Sequence, residues 1–305
     1  MRSLITGADG FVGRHLARHL RDEGDDVVEI DVHGAGELDI TDREALIAHV
    51  GALMPDAIYH LAARSHVGES WGRDSDVVRV NVHGTANVLD AARAANVHRV
   101  VVVGSSEQYG VVAPHEIPLT ERAPLRPVSP YAQTKTEAEA LALRAAADGL
   151  GVICVRAFSH TGPGQSPRFL VPAIAARVVA AELVGGDHEG SGTIAVGRTD
   201  PVRDFSDVRD VVRAYRSLVL RGEPGEVYNV CSGIGVTVGD LVSQVLALAT
   251  TPLELVVDPA LVRDTDVPVL IGDHTRITSA TGWRPQIPLH QTLHDVLAHT
   301  RGQVT

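Results

Sequence analysis

The sequence predicts an α/β fold, a doubly wound parallel sheet with a smaller, interleaved C-terminal domain. Three observations carry this. Strand-like and helix-like segments alternate through the first 155 or so residues, the pattern of βαβ units. Arg99-Val100-Val101-Val102-Val103-Gly104 is an unbroken apolar run, as in a parallel strand covered on both faces. The segment 3–6 (Ser-Leu-Ile-Thr) runs straight into Gly7-Ala8-Asp9-Gly10-Phe11-Val12-Gly13 and then into helical apolar spacing at Leu16 and Leu20.

That first turn is a TGxxGxxG element between a strand and a helix. Gly7 permits the tight turn, Gly10 lets backbone approach a pyrophosphate, and Gly13 allows close helix–strand packing. Phe11 and Val12 open the helix, whose first N–H groups face negative phosphates. The next strand, 27–30, ends at Asp31. A carboxylate there suits the two hydroxyls of an adenosine ribose and repels a 2′-phosphate. The sheet is therefore expected to be of Rossmann type, with NAD(H) favoured and NADP(H) left open.

Further along, Leu38-Asp39-Ile40 precedes a helix over 42–53. A strand over 57–63 runs into small residues that let a cofactor come close. A helix is expected over 75–95, the apolar strand follows, and a helix from Tyr131 to about 148 leads to a strand at 151–155. Beyond 157 the texture changes. A turn at 162–165 precedes a helix at 170–183, a Gly-rich loop at 185–192, and a segment at 203–208 entering a helix to 221. A strand at 227–231 and a helix at 237–249 follow. The expected organisation is a dinucleotide-binding domain over 1–157, with returning segments near 203–230, and a mainly substrate-binding domain over 158–305.

The chain has 305 residues, 44% hydrophobic and 21% charged, ordinary for a globular protein able to bury a large core. A net charge of −11 argues against a nucleic-acid binder. No apolar run is long enough to span a membrane. Cys154 and Cys231 sit in apolar strand-like runs and read as buried thiols of a cytoplasmic protein. The histidines show no metal-ligand spacing, so no metal is expected.

Chemistry concentrates around Tyr131 and Lys135. Four residues apart on a helix, they share one face. An ammonium there lowers a phenol pKa and holds a ribose, and a strand-end serine, Ser105, shares a proton with the phenol. Reversible carbonyl/alcohol redox needs such a phenolic acid/base.

Taken together, TGADGFVG (6–13), LDI (38–40), HLAA (60–63), NVHGT (81–85), GSSEQYG (104–110), SPYAQTK (129–135), GPGQ (162–165), RDFSDV (203–208) and GWRP (282–285) resemble the extended short-chain dehydrogenase/reductase family along essentially the whole chain. The runs SHTGPGQS (159–166), VYNVCSGIG (227–235) and DVPVLIGD (266–273) are similar to its members that act on GDP-4-keto-6-deoxyhexoses. The resemblance implies reduction of a sugar C4 ketone by NAD(P)H. It makes Tyr131 and Lys135 the acid/base pair, Ser105 the orienting hydroxyl, and Ser106 and Glu107 contacts of the hexose. Asp39 and Ile40 would hold the adenine, and Leu61, Ala62 and Ala63 would line the cofactor cleft. Arg203 would meet the substrate diphosphate, with Ser159 near the sugar or phosphate and Arg263 and Asp266 near the nucleoside. Ser159 stands where many members carry Asn, and Asp264 where related reductases and dehydratases carry Pro. Glu107 keeps a 4,6-dehydratase open, because a Glu at the matching place removes a sugar C5 proton in those enzymes. A 4-epimerase and, remotely, a non-catalytic cofactor-binding protein remain alternatives. The helices near 78–95 and 131–148 resemble the family's dimer-forming pair, so a homodimer is expected.

Overall fold

A computed structural model describes residues 1–34, 36–64, 74–184, 192–262 and 267–304. In chain order, β1 (Arg2–Thr6), α1 (Phe11–Asp22), β2 (Asp26–Ile30), α2 (Arg43–Leu53) and β3 (Ala57–His60) are followed by α3 (Asp74–Val78) and α4 (Gly84–Ala94). Then come β4 (Arg99–Ser105), α5 (Pro130–Ala147), β5 (Val152–Ala157), β6 (Ser159–Thr161), α6 (Leu170–Val184), β7 (Gly192–Val196) and β8 (Val202–Asp207). The chain closes with α7 (Val208–Arg221), β9 (Val227–Val230), β10 (Gly235–Thr237), α8 (Val238–Leu246), β11 (Leu253–Val257), β12 (Val269–Leu270), α9 (Thr275–Thr281) and α10 (Leu289–Gly302).

The main sheet has the order β2-β1-β3-β4-β5-β9, with every neighbouring pair parallel. Successive strand residues feed opposite cores, because side chains alternate faces. Ile5, Tyr59, Val101 and Val155 pack with α1 and α7, burying Leu16, Leu20, Val211, Tyr215 and Leu218. Leu4, Ile58, Val100, Val102 and Cys154 pack with α2, α4 and α5, burying Leu46, Val88 and Ala142. The apolar run in β4 is thus explained by helices on both faces. The strand order reverses between β1 and β3, the switch point at which such sheets hold ligands.

Helix starts follow their caps. Ser129 accepts from the Ala132 N–H with Pro130 in the first turn, and Asp207 accepts from the Arg209 N–H. The expected single helix over 75–95 is instead interrupted by a π-helical turn at Arg79–His83. The buried Asn81 side chain holds this turn in place: its Oδ1 accepts from the Arg64 N–H at 2.8 Å and its Nδ2 donates to Thr134 Oγ1 at 3.0 Å. β3 ends at His60 rather than 63.

A second sheet, β10-β8-β12 with β6 also on β8, stands over the strand ends, and β7 pairs with β11. Its core lies among α6, α8 and α10 (Ile174, Val178, Leu241, Val296). The chain weaves between the two parts. β8 belongs to the upper sheet, whereas α7, β9, Ile277 and Trp283 return to the main one. Asp204 joins upper-sheet segments: only 1% exposed, its carboxylate accepts from Ser232 N and Oγ, Gly233 N and Gly272 N. Much of the Gly-rich 185–192 loop lies outside the described residues.

Candidate active site

A cavity of 1380 Å³ runs along the carboxyl ends of the main strands and under the upper sheet. One end is built by the first turn. Gly7 adopts φ 74°, and a Cβ there would lie 2.7 Å from the Ala62 backbone. A Cβ on Gly13 would lie 2.4 Å from the Gly7 carbonyl oxygen. Both positions therefore require glycine. Gly10 is the N-cap of α1, so Gly10, Phe11, Val12 and Gly13 present the helix start to the cavity. Asp31 follows β2. Its carboxylate is pinned by backbone, accepting from the Asp9 N–H at 3.0 Å and the Val32 N–H at 2.7 Å. Asp39, Ile40, Leu61, Ala62 and Ala63 complete this end. Glycines at a helix start, a fixed carboxylate and small residues after β3 fit a dinucleotide: phosphates at Gly10–Gly13 and a ribose at Asp31.

The other end holds Ser105, Glu107, Tyr131 and Lys135. Ser105 closes β4, and Ser106 and Glu107 begin a short 3₁₀ turn. Tyr131 is on the first turn of α5 and Lys135 one turn on, with its Nζ 6.0 Å from the phenol ring centre. Lys135 is buried, and burial lowers it to about 8 while its Nζ donates to the Val103 carbonyl at 2.8 Å. The Ser105 hydroxyl stands beside the Tyr131 phenol and accepts from the Glu107 N–H at 3.2 Å. The phenol does not follow the sequence expectation of a lowered pKa. Burial pushes it up, the Glu107 charge adds to this, and the neighbouring Ser105 hydroxyl opposes both. The ammonium beside it is itself desolvated and engaged by a carbonyl. Glu107 lies close to Tyr131, and Ser129 Oγ is 3.5 Å from its Oε2.

Ser159 at the start of β6 and Arg203 on β8 line the same cavity. Asp204, next to Arg203 in sequence, is buried and committed to the Ser232, Gly233 and Gly272 donors. Arg263 and Asp266, like Asp264, lie outside the described residues.

Several contributors escaped the sequence reading. Gln108 accepts from the Ser105 N–H at 2.8 Å and donates to Glu139 at 3.0 Å. Glu139 binds Arg156 through two bonds of 2.9 and 2.6 Å. The serine is thus held by a chain reaching into the core. Gly104 was the available signal, because a Cβ there would lie 2.3 Å from Gln108 Oε1. His160 also lines the cavity, stacked 6.4 Å from Phe11, with its Nδ1 on the Phe158 carbonyl at 2.8 Å. Burial lowers its pKa against that carbonyl, keeping it neutral. Arg168, Phe169, Arg177 and Arg198 border the upper part.

Known proteins place this geometry in context. The model of the "NAD dependent epimerase/dehydratase family" matches residues 3–231. GDP-6-deoxy-D-mannose reductase of Pseudomonas aeruginosa is 34% identical over 305 residues, covering 99% of this chain and 98% of that protein. The structure of RMD from Pseudomonas aeruginosa complexed with NADPH superposes with a TM-score of 0.88 at 32% identity, covering 99% of this chain and 100% of that one. UDP-glucose 4-epimerase from Thermus thermophilus, in complex with NAD, gives 0.87 at 28% identity, covering 99% of each chain.

Proposed function

The chain belongs to the NAD dependent epimerase/dehydratase family, and on that premise we propose that it reduces the C4 ketone of a GDP-4-keto-6-deoxyhexose with NAD(P)H. The observation that carries this is the convergence of Ser105, Tyr131 and Lys135 at one end of a cavity whose other end is the glycine turn and Asp31. The named similarity to a GDP-6-deoxy-D-mannose reductase supports the choice of nucleotide and sugar.

Bound NAD(P)H supplies the hydride that the sugar carbon receives. Gly10, Phe11, Val12 and Gly13 bind its phosphates, Asp31 its adenosine ribose, and Asp39 and Ile40 its adenine. Tyr131 delivers a proton to the C4 oxygen. Its raised pKa keeps it protonated at neutral pH, which suits an acid. Ser105 orients that oxygen, and its N–H is fixed by Gln108. Lys135 holds the nicotinamide ribose and stabilises the phenolate left behind. Ser106, Glu107 and Ser159 contact the sugar, and Arg203 the diphosphate, where a planar guanidinium donates in pairs. Arg263 and Asp266 are assigned to the nucleoside.

The pinned Asp31 carboxylate favours NADH over NADPH. We assign the protein to the cytoplasm, which suits its buried free thiols Cys154 and Cys231, and to a homodimer through α4 and α5. A solution mass of one 32.3 kDa chain would contradict the dimer. A second reading, a 4,6-dehydratase with recycled NAD, is favoured by the position of Glu107 beside Tyr131, where a carboxylate could take a C5 proton.

The test is Tyr131→Phe. It should lower kcat by at least ~10²-fold, the scale of general acid catalysis, with cofactor binding retained. Near-normal turnover would refute the assignment.

A further inference from the structure

Tyr215 sits on α7, fully buried, where the helix packs beneath the ends of β4 and β5. It borders the cavity. Among the described residues its hydroxyl has no hydrogen-bond partner. A buried, unpartnered hydroxyl forfeits a hydrogen bond it made to water, so such groups are rare and call for a reason. Its surroundings narrow the reason. Val12, Leu61, Val103 and Ala157 belong to the same apolar cluster and also line the cavity, giving it an apolar floor here. The Tyr131 phenol is close enough to reinforce the upward push that burial gives the Tyr215 hydroxyl. Tyr215 and Tyr131 thus line the same cavity, side by side.

We infer that Tyr215 hydrogen-bonds the carboxamide of the nicotinamide ring, and so fixes which face of that ring meets the substrate. An apolar floor suits a flat ring. A single neutral hydroxyl, both donor and acceptor, suits that ring's one polar substituent. Tyr131 and Lys135 are already assigned to the ribose and the sugar oxygen, which leaves the carboxamide as the group without a protein partner. Tyr215 is a positioning residue, and its role rests on the reading of the cavity as an NAD(P) site.

The test compares two ligands, NADH and ADP-ribose, the second lacking the nicotinamide. Binding is followed by calorimetry with wild type and Tyr215→Phe. The variant should bind NADH about 3- to 10-fold more weakly, the worth of one neutral hydrogen bond, and ADP-ribose as wild type does. Without ligand its thermal midpoint should equal or exceed that of wild type, because an orphaned hydroxyl has been removed. Equal NADH affinity in the two proteins would overturn the inference. So would equal weakening toward both ligands, which would mark a purely structural role. A wild-type protein that binds neither ligand would overturn the cofactor reading itself, and this inference with it.

Discussion

Glu139→Gln exposes how much the site depends on a buried ion pair. Glu139 and Arg156 are joined by two hydrogen bonds, with side chains 5% and 6% exposed. The change keeps volume and leaves an oxygen for Gln108, but it removes the charge that balances Arg156. The remaining guanidinium bonds, to the Tyr109 hydroxyl and the Glu121 carbonyl, are each 3.0 Å and carry no formal charge. Breaking one side of a buried pair costs about 3–5 kcal/mol, because a bare charge stays in the interior. Urea unfolding followed by tryptophan fluorescence should show that loss. Adding Arg156→Met should recover most of it, since replacing both charges is close to neutral. A single variant within about 1 kcal/mol of wild type, or a double variant as unstable as the sum of the two single changes, would refute the reasoning.

Other expectations follow from the same geometry. Lys135, lowered to about 8 by burial, should lose its ammonium as pH rises through that value. The kcat/KM for the cofactor should then fall about tenfold per unit above it, and a flat profile to high pH would contradict this. His60 is lowered from 6.5 to about 3 by burial and then by the Lys135 charge, between Thr6 Oγ1 and Thr85 Oγ1. The unfolded chain takes up a proton below 6.5 that the folded one refuses, so stability is full above that pH and falls below it. At pH 5 the loss is about 2 kcal/mol, and His60→Asn should shrink the drop measured between neutral and acid pH. Asp31→Ser should move the ratio of NADPH to NADH affinity at least ~10-fold toward NADPH, because the like-charge repulsion of a 2′-phosphate is removed. An unchanged ratio in a binding titration would count against Asp31 as the selector.

The front of the chain was legible because its signals are local. Gly7, Gly10 and Gly13 lie within one turn, β4 is apolar on both faces, and Tyr131 and Lys135 share one helix. What stayed hidden depends on partners distant in sequence. The π-helical turn follows from Asn81 bonding Arg64 and Thr134. The support of Ser105 runs through Gln108 and Glu139 to Arg156 on another strand. Strands β6, β10 and β12 are two or three residues long, too short for alternation to show. Tyr215 reads in sequence as one more residue of an amphipathic helix, and only the fold places it at the cavity. The direction of the Tyr131 shift also needed the structure, since burial and Glu107 outweigh what the spacing to Lys135 suggests.

The most direct test is the near-ultraviolet absorbance of the reduced nicotinamide on mixing the protein with GDP-4-keto-6-deoxymannose and NADH, then NADPH. Loss of signal equal to the sugar nucleotide added, faster with NADH, is the result predicted here. No loss with either cofactor, together with NAD released from the protein on denaturation, would contradict the reductase reading and favour Glu107 as the base of a dehydratase.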